Sequence, residues 1–276
     1  MTEAARKYPR TPHLEGSKLQ PGDTADGQAT LAELRAAYPD CRFISEEKID
    51  GANAGIFFNE DLDLCLQSRG HVLSGGAREA QFNLLKDWAT YHEGTLLEIL
   101  EDRYTMYGEW AFARHTQFYD RLPHFFLEFD ILDRRTGAFL STPARRALLG
   151  GSPVASVPVV SEEWPAGRKA MHALVQPSLY RSEDWRDNLA IAAERAGVDP
   201  EQALAESGDG TLGEGIYVKI ETAEETVGRF KFVQPGFLQT ILESGTHWSA
   251  RPMIRNQLAP GVDIMSAPAR AAEPTF

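Results

Sequence analysis

The sequence predicts an α+β fold: a mostly antiparallel system of sheets flanked by helices, with a helical insertion. Three observations carry this. Strand-like stretches lie on both sides of one long helical stretch, in blocks. Hydrophobic residues make up 42% of the 276 and charged residues 25%, an ordinary globular composition on a chain long enough to bury a core without disulfides. No G-x-G-x-x-G follows a strand, and P-loop, H-E-x-x-H and C-x-x-C patterns are absent, so the common nucleotide and zinc signatures play no part.

The elements follow in order. Residues 1–40 form a lead segment. Its first part, to residue 28, is polar and rich in Gly, Pro and Asp, and reads as irregular. Leu31 and Leu34 set a helical spacing over Ala29–Tyr38, which Pro39 stops. Cys41–Phe58 reads as two strands around a turn at Asp50-Gly51, and the alternation of Leu62, Leu64 and Leu66 adds a third. Phe82, Leu85 and Trp88 place a helix over Gly75–Trp88, and a second runs to Leu100. Arg103–Ala113 and Leu122–Leu132 are aromatic-rich strands. From Ser141 to Gly210 the pattern turns helical, most clearly over Glu183–Ala196 and Pro200–Glu206. Strands return at Gly213–Glu221 and Val227–Gln234, and the tail after Met265 is Ala/Pro-rich and frayed.

Composition bounds the setting. Cys41 and Cys65 are too few for a disulfide scaffold and suit a reducing cytoplasm. No apolar run approaches the roughly 20 residues of a membrane span. The N-terminus lacks the apolar stretch of a signal peptide. A net charge of -12 argues against a coat protein gripping nucleic acid by bulk charge, while leaving room for a local basic site.

The sharpest local feature is Ser45-Glu46-Glu47-Lys48-Ile49-Asp50-Gly51, a lysine between a strand and a tight turn, flanked by carboxylates. Taken alone it reads first as a charged β-turn. Set in a cleft beside other cations, its ammonium would be destabilised and the free amine would become a nucleophile. Further along come Ser68-Arg69, Tyr107-Gly108-Glu109, Phe126 to Ile131, Glu214-Gly215-x-x-x-Lys219 and Arg229-x-Lys231. Their order and spacing resemble the collinear motifs of the covalent nucleotidyltransferases: DNA ligases, RNA ligases and mRNA capping enzymes. K-x-D-G matches Lys48 to Gly51, and the final K-x-K has Arg229 in its first place. Within that superfamily the wording is most similar to nick-sealing RNA ligases of the bacteriophage RNA ligase 2 type.

The resemblance implies a nucleotidyltransferase (ATP-grasp-like, adenylyltransferase) domain over residues 41–235, with its insertion at about 141–212 and a short C-terminal extension over 236–276. That extension is too short for the appended oligonucleotide-binding barrel of DNA ligases and capping enzymes, which favours an RNA ligase over either. A relative that binds a nucleotide without turnover is the remaining alternative. The implied reaction uses ATP and Mg2+ (or Mn2+). AMP passes from ATP to Lys48, then to a 5′-phosphate, and is displaced by a 3′-hydroxyl. Lys48 is the implied nucleophile, and Lys219, Arg229 and Lys231 supply positive charge at the phosphates. Glu109 and Glu214 are the candidate metal carboxylates. Tyr107 is the choice to stack on adenine, with Phe126 and Phe129 in the core. Arg69 and Asn53 are placed at the ribose or the 3′ end, Glu47 at the adenine amino group, and Asp50 in the turn or at the ribose. The seven histidines show no ligand spacing. The implied partners are RNA ends or a nicked RNA duplex, together with an end-processing repair enzyme. No membrane is among them.

Overall fold

The computed structural model describes residues 6–19, 28–208, 210–237 and 252–266. Helix α1 (Leu31–Ala37) starts on a capping box, Thr30 accepting from the Glu33 backbone and Glu33 accepting from the Thr30 backbone, and buries Leu31 and Leu34. Strands β1 (Arg42–Glu47), β2 (Ala52–Phe58) and β3 (Leu64–Ser68) follow. A 3-10 turn at Ala77–Phe82 leads into α2 (Asn83–Tyr91) and α3 (Glu93–Leu100), then β4 (Tyr104–Trp110), β5 (Phe126–Asp133) and β6 (Phe139–Leu140). The insertion contains α4 (Thr142–Leu148), β7 (Ala155–Ser156), β8 (Val159–Ser161), α5 (Arg168–Ala173), α6 (Trp185–Arg195) and α7 (Pro200–Ser207). The chain returns through β9 (Gly215–Glu221) and β10 (Glu225–Val233).

The strands form a 10-stranded sheet in the order β3-β2-β4-β5-β6-β10-β9-β1-β8, with β7 pairing parallel to β5. Two corrections to the sequence reading follow. β1 and β2 are not a hairpin: β1 pairs with β8 and β9, while β2 pairs with β3 and β4. Lys48–Gly51 is therefore a crossover between two distant parts of the sheet. The insertion is not wholly helical either. Pro153 and Pro158 bracket β7, and the 155–161 stretch contributes its two short strands to the sheet.

Two apolar cores flank this crossover. One packs α2 and α3 against β2, β4 and β5, with Trp88, Trp110 and Phe126 fully buried, each contributing on the order of 2–3 kcal/mol by burial. The other packs α1 and Met171 of α5 against Phe43, Val218 and Phe232. Parts of both chain ends pack on the domain. In the lead segment, Lys231 N–H donates to Pro12 O and Leu14 N–H to Lys231 O, so residues 12–14 lie beside β10 in a single parallel bridge at His13. Residues 252–266 pack back on the domain, Asn256 bonding Ala111 O and accepting from Tyr119 N–H. Residues 267–276 of the tail expected to fray lie outside the described residues.

Candidate active site

The crossover is tied down from every side. The Asp50 carboxylate accepts the backbone N–H groups of Thr116 and Gln117 at 2.8 and 2.7 Å, and Asp50 N–H donates to the Tyr119 hydroxyl. Asp50 thus shapes the turn. Gly51 N–H donates to Glu109 Oε1, and a Cβ at position 51 would meet Trp110 O at 2.8 Å, so glycine is required by the approach of β4. Gly215 is required in the same way: a Cβ there would stand 1.9 Å from Phe232 O. Its carbonyl accepts Lys48 N–H, placing Glu214 beside the lysine head.

Lys48 Nζ lies 2.7 Å from Glu214 Oε1, with a quarter of its side chain exposed. Its neighbours are acids, where the sequence reading placed cations. Burial works to lower the Lys48 pKa, but Glu214, Glu109 and Asp50 outweigh it and hold it above the ordinary value. Burial raises Glu109 to about 8 against the pull of Lys48, with Glu214 and Asp50 adding to the rise. Glu214 is raised to about 7, again chiefly by burial. The site thus holds an ammonium amid more carboxylates than it can neutralise.

Lys219 has the opposite surroundings. It is fully buried, 2.8 Å from Glu46 and 3.1 Å from Asp130, and it donates to Phe129 O. Arg145, on α4, pairs with Glu46 and with Glu128 at 2.7 Å, and the second Glu128 oxygen accepts from Ser156. Arg229 lies 3.5 Å from Asp130 with its guanidinium stacked 3.6 Å from the Phe139 ring centroid. Burial pushes Asp130 up, but Lys219, Arg229 and Arg145 hold it below its usual range. Three cations thus meet three carboxylates beneath the site.

A cavity of about 580 Å³ opens above these groups. Of the residues singled out from sequence, Glu47, Lys48, Asn53, Arg69, Glu109 and Lys231 line it. Glu214 stands directly behind Lys48. Lys219 and Arg229 belong to the network below. Tyr107 is not in the wall: it is 1% exposed, its hydroxyl donates to Arg6 O, and Tyr8 covers its ring edge-on at 5.0 Å. The aromatic wall is made by Tyr8, Phe82, Phe129 and Tyr217, so Phe129 faces the cavity while Phe126 stays in the core. The sequence reading also missed Tyr8, His115 and the partners Arg145 and Asp130. His115 reaches the wall because Asp50 pins its loop, with Nδ1 4.0 Å from Asp50. Among the described residues Asn53 Oδ1 and Glu47 Oε1, two buried acceptors of the lining, receive no hydrogen bond; burial raises Glu47 to about 7 against the pull of hydrogen bonds from Ser178 and Leu179.

Among the described residues no group of three or more His, Cys, Asp or Glu side chains is placed to enclose a metal ion. Glu109 and Glu214 nevertheless offer hard oxygen donors beside Lys48, and among the described residues nothing donates to Glu214 Oε2. That set fits a magnesium ion that keeps most of its waters and is shared with phosphates.

The solved structures of Naegleria gruberi RNA ligase are similar in fold. A mutant with AMP and Mn is 17% identical with a TM-score of 0.50, covering 83% of this chain and 61% of that one. An apo mutant is 16% identical with a TM-score of 0.51, covering 87% and 61%, and the ligase with PPi is 18% identical at 0.50, covering 84% and 62%. This chain therefore covers less than two thirds of each of those structures. No curated protein matches it. The family model described as RNA ligase matches residues 42–233, from the first residue of β1 to the last of β10 and spanning Lys48, its carboxylates and the buried network; the chain belongs to the RNA ligase family.

Proposed function

We propose that this chain is an ATP-dependent RNA ligase that joins 3′-hydroxyl and 5′-phosphate ends through a lysyl-AMP intermediate, with residues 41–235 as its adenylation domain. One observation carries the reading: Lys48 Nζ is at the floor of a nucleotide-sized cavity, in contact with Glu214 and under the field of Glu109. In the first step the Lys48 amine forms a P–N bond to the α-phosphorus of ATP, the bond to the bridging oxygen breaks, and pyrophosphate leaves. The lysine must first give up a proton, and Glu214, at 2.7 Å, is the nearest acceptor. Glu109 and Glu214 would hold magnesium or manganese, which when bound would supply positive charge beside Lys48 and the phosphates. Lys231, on the cavity wall, compensates phosphate charge; Phe129 offers a face for adenine and Glu47 an acceptor for its amino group. Arg69, at the exposed rim, suits a ribose or an RNA end.

The partners follow from the reaction: RNA ends or a nicked RNA duplex, supplied by an end-processing repair enzyme. Among the described residues no helix is long and apolar enough to cross a membrane, and we place the reaction in the cytoplasm. The test is incubation with labelled ATP and a divalent cation, followed by mapping of the adduct. Label on Lys48, released as AMP onto a 5′-phosphorylated RNA, is the expected result. Label on another lysine, or none from enzyme verified free of bound AMP, overturns the assignment.

A further inference from the structure

The lead segment crosses the face of the sheet that carries the cavity. At β3, Gln67 is fully buried and spends both ends of its amide on the backbone of Arg6, accepting at 3.1 Å and donating at 2.8 Å. At β4, Tyr107 donates to Arg6 O. At β5 the Tyr8 hydroxyl donates to Asp130 Oδ2, and it also meets the Tyr217 hydroxyl of β9. The Tyr8 ring stands edge-on to Phe129 and Phe139, with the Arg229 guanidinium over it at 5.1 Å. At β10 the segment forms a parallel bridge from His13 to Lys231, and Val233 N–H donates to Ser17 Oγ. Buried polar groups committed to backbone atoms are costly to leave unpaired, so a segment held this way is part of the folded domain.

We propose that Tyr8 is a positioning residue of the nucleotide site, acting through Asp130 on Arg229. The inference rests on the adenylation reading above. Asp130 Oδ1 faces Lys219, and Oδ2 faces Tyr8, Arg229 and, at 3.4 Å, the Tyr217 hydroxyl. With a protic donor on Oδ2, Arg229 stays in a loose 3.5 Å pair and keeps its stack on Phe139. Without that hydroxyl, Oδ2 keeps only the longer 3.4 Å hydrogen bond from the Tyr217 hydroxyl, and Asp130 draws the guanidinium off the ring. Arg229 lies two residues from Lys231 on the same face of β10, so the shift passes to the phosphate end of the cavity. Tyr8 also lines the cavity itself, in front of Tyr107.

The experiment is the ATP dependence of lysyl-AMP formation in full-length Tyr8→Phe, Arg229→Ala and the double variant, with calorimetric ATP binding and Tm measured alongside. Tyr8→Phe keeps the ring and its packing, so the fold survives where Tyr8→Ala fails. The expected result is a rise of about tenfold in half-saturating ATP for Tyr8→Phe, the scale of one charge-assisted hydrogen bond, with the maximal rate within about threefold of wild type. The double variant is no more than about threefold worse than the poorer single one, because both act through one path. Wild-type half-saturation in Tyr8→Phe, a loss of Tm without a change in half-saturation, or losses that multiply in the double variant overturn the inference while leaving the Lys48 assignment standing. A wild-type chain that binds ATP without reacting refutes that assignment alone, and the comparison is then read from binding. A chain that neither binds nor reacts overturns both.

Discussion

Lys48 and Lys219 are the same residue type on neighbouring paths of one sheet, and the protein treats them oppositely. Around Lys219 the charges balance: Glu46 and Asp130 share it, Arg145 and Arg229 complete their coordination, and no part of it reaches solvent. Around Lys48 they do not. Glu214, Glu109 and Asp50 act on one ammonium that keeps a quarter of its side chain exposed. A balanced buried network fixes geometry, and removing any member leaves an uncompensated charge. An acid-rich nest with an open side instead suits an added cation, and on the proposed function its lysine would become a nucleophile once such a cation and the phosphates are bound. On the proposed function, the difference separates the residue that reacts from the one that holds the frame.

The comparison is broken most directly by exchanging outcomes between the two lysines. Lys48→Met should reduce labelling to background while moving Tm by less than about 3 °C, since its carboxylates can take up protons. Lys219→Met should destabilise the protein by about 3–5 kcal/mol, a Tm loss on the order of 10 °C, because Glu46 and Asp130 lose the cation they share. If Lys219→Met melts with wild type and fails only in labelling, Lys219 serves the phosphates as its motif position implies. Lys231→Ala should lower the adenylylation rate about a hundredfold, the scale of one preorganised charge at the reacting phosphates, without loss of Tm. Its backbone, which holds Pro12 and Leu14, is unaffected by the substitution.

The sequence carried the strands, most helices and the order of the motifs because alternation and helical spacing are local properties. Pairing is not local. Nothing in Cys41–Phe58 distinguishes a hairpin from a crossover between distant strands; the difference lies in Asp50 bonding to the 116–117 backbone. The cavity residues were half legible. Motif spacing located Lys48, Glu109 and Lys231, but it assigned Lys219 to the phosphates because it could not show that Glu46 and Asp130 enclose it. Tyr107 was preferred as the stacking ring because it adjoins Gly108. Tyr8 then covers it from a segment whose polar, Gly- and Pro-rich composition reads as irregular. Arg145 lies in a helix with no motif, and only its burial between Glu46 and Glu128 marks it.

The acid nest sharpens the comparison through pH. Glu109 and Glu214 are raised in the folded protein to about 8 and about 7 from 4.5. Between those limits the folded chain binds protons that the unfolded chain has released, so the contribution of these two groups to stability is fully present below about pH 4.5 and is lost as pH rises through 7 and 8. Asp130 is shifted the other way, so its contribution is already in place above its unfolded value of 3.8 and does not offset the loss. Glu109→Gln should flatten the decline in Tm measured from about pH 5 to about pH 8.5 without ATP or metal. An unchanged slope in Glu109→Gln would mean that the carboxyl titrates in its ordinary range and that the nest is better solvated than its burial implies.

The smallest expected effect is at Arg229, the place where this chain departs from the K-x-K wording. Arg229→Lys keeps the charge 3.5 Å from Asp130 but gives up the planar face stacked on Phe139 and lying over Tyr8. Lysine and arginine are not interchangeable at a stacked site, yet the stack is partly exposed and contributes only about 0.5–1 kcal/mol. Lys219 and Arg145 continue to hold Asp130 below its usual range. The substitution should therefore cost about threefold in labelling at saturating ATP and lower Tm by about 1–3 °C. Lys219→Met should cost far more at the same carboxylate, because it removes the charge itself and not only the geometry in which the charge is held. A loss of a hundredfold in Arg229→Lys, equal to that of Lys231→Ala, would place Arg229 on the phosphates and take it out of the frame.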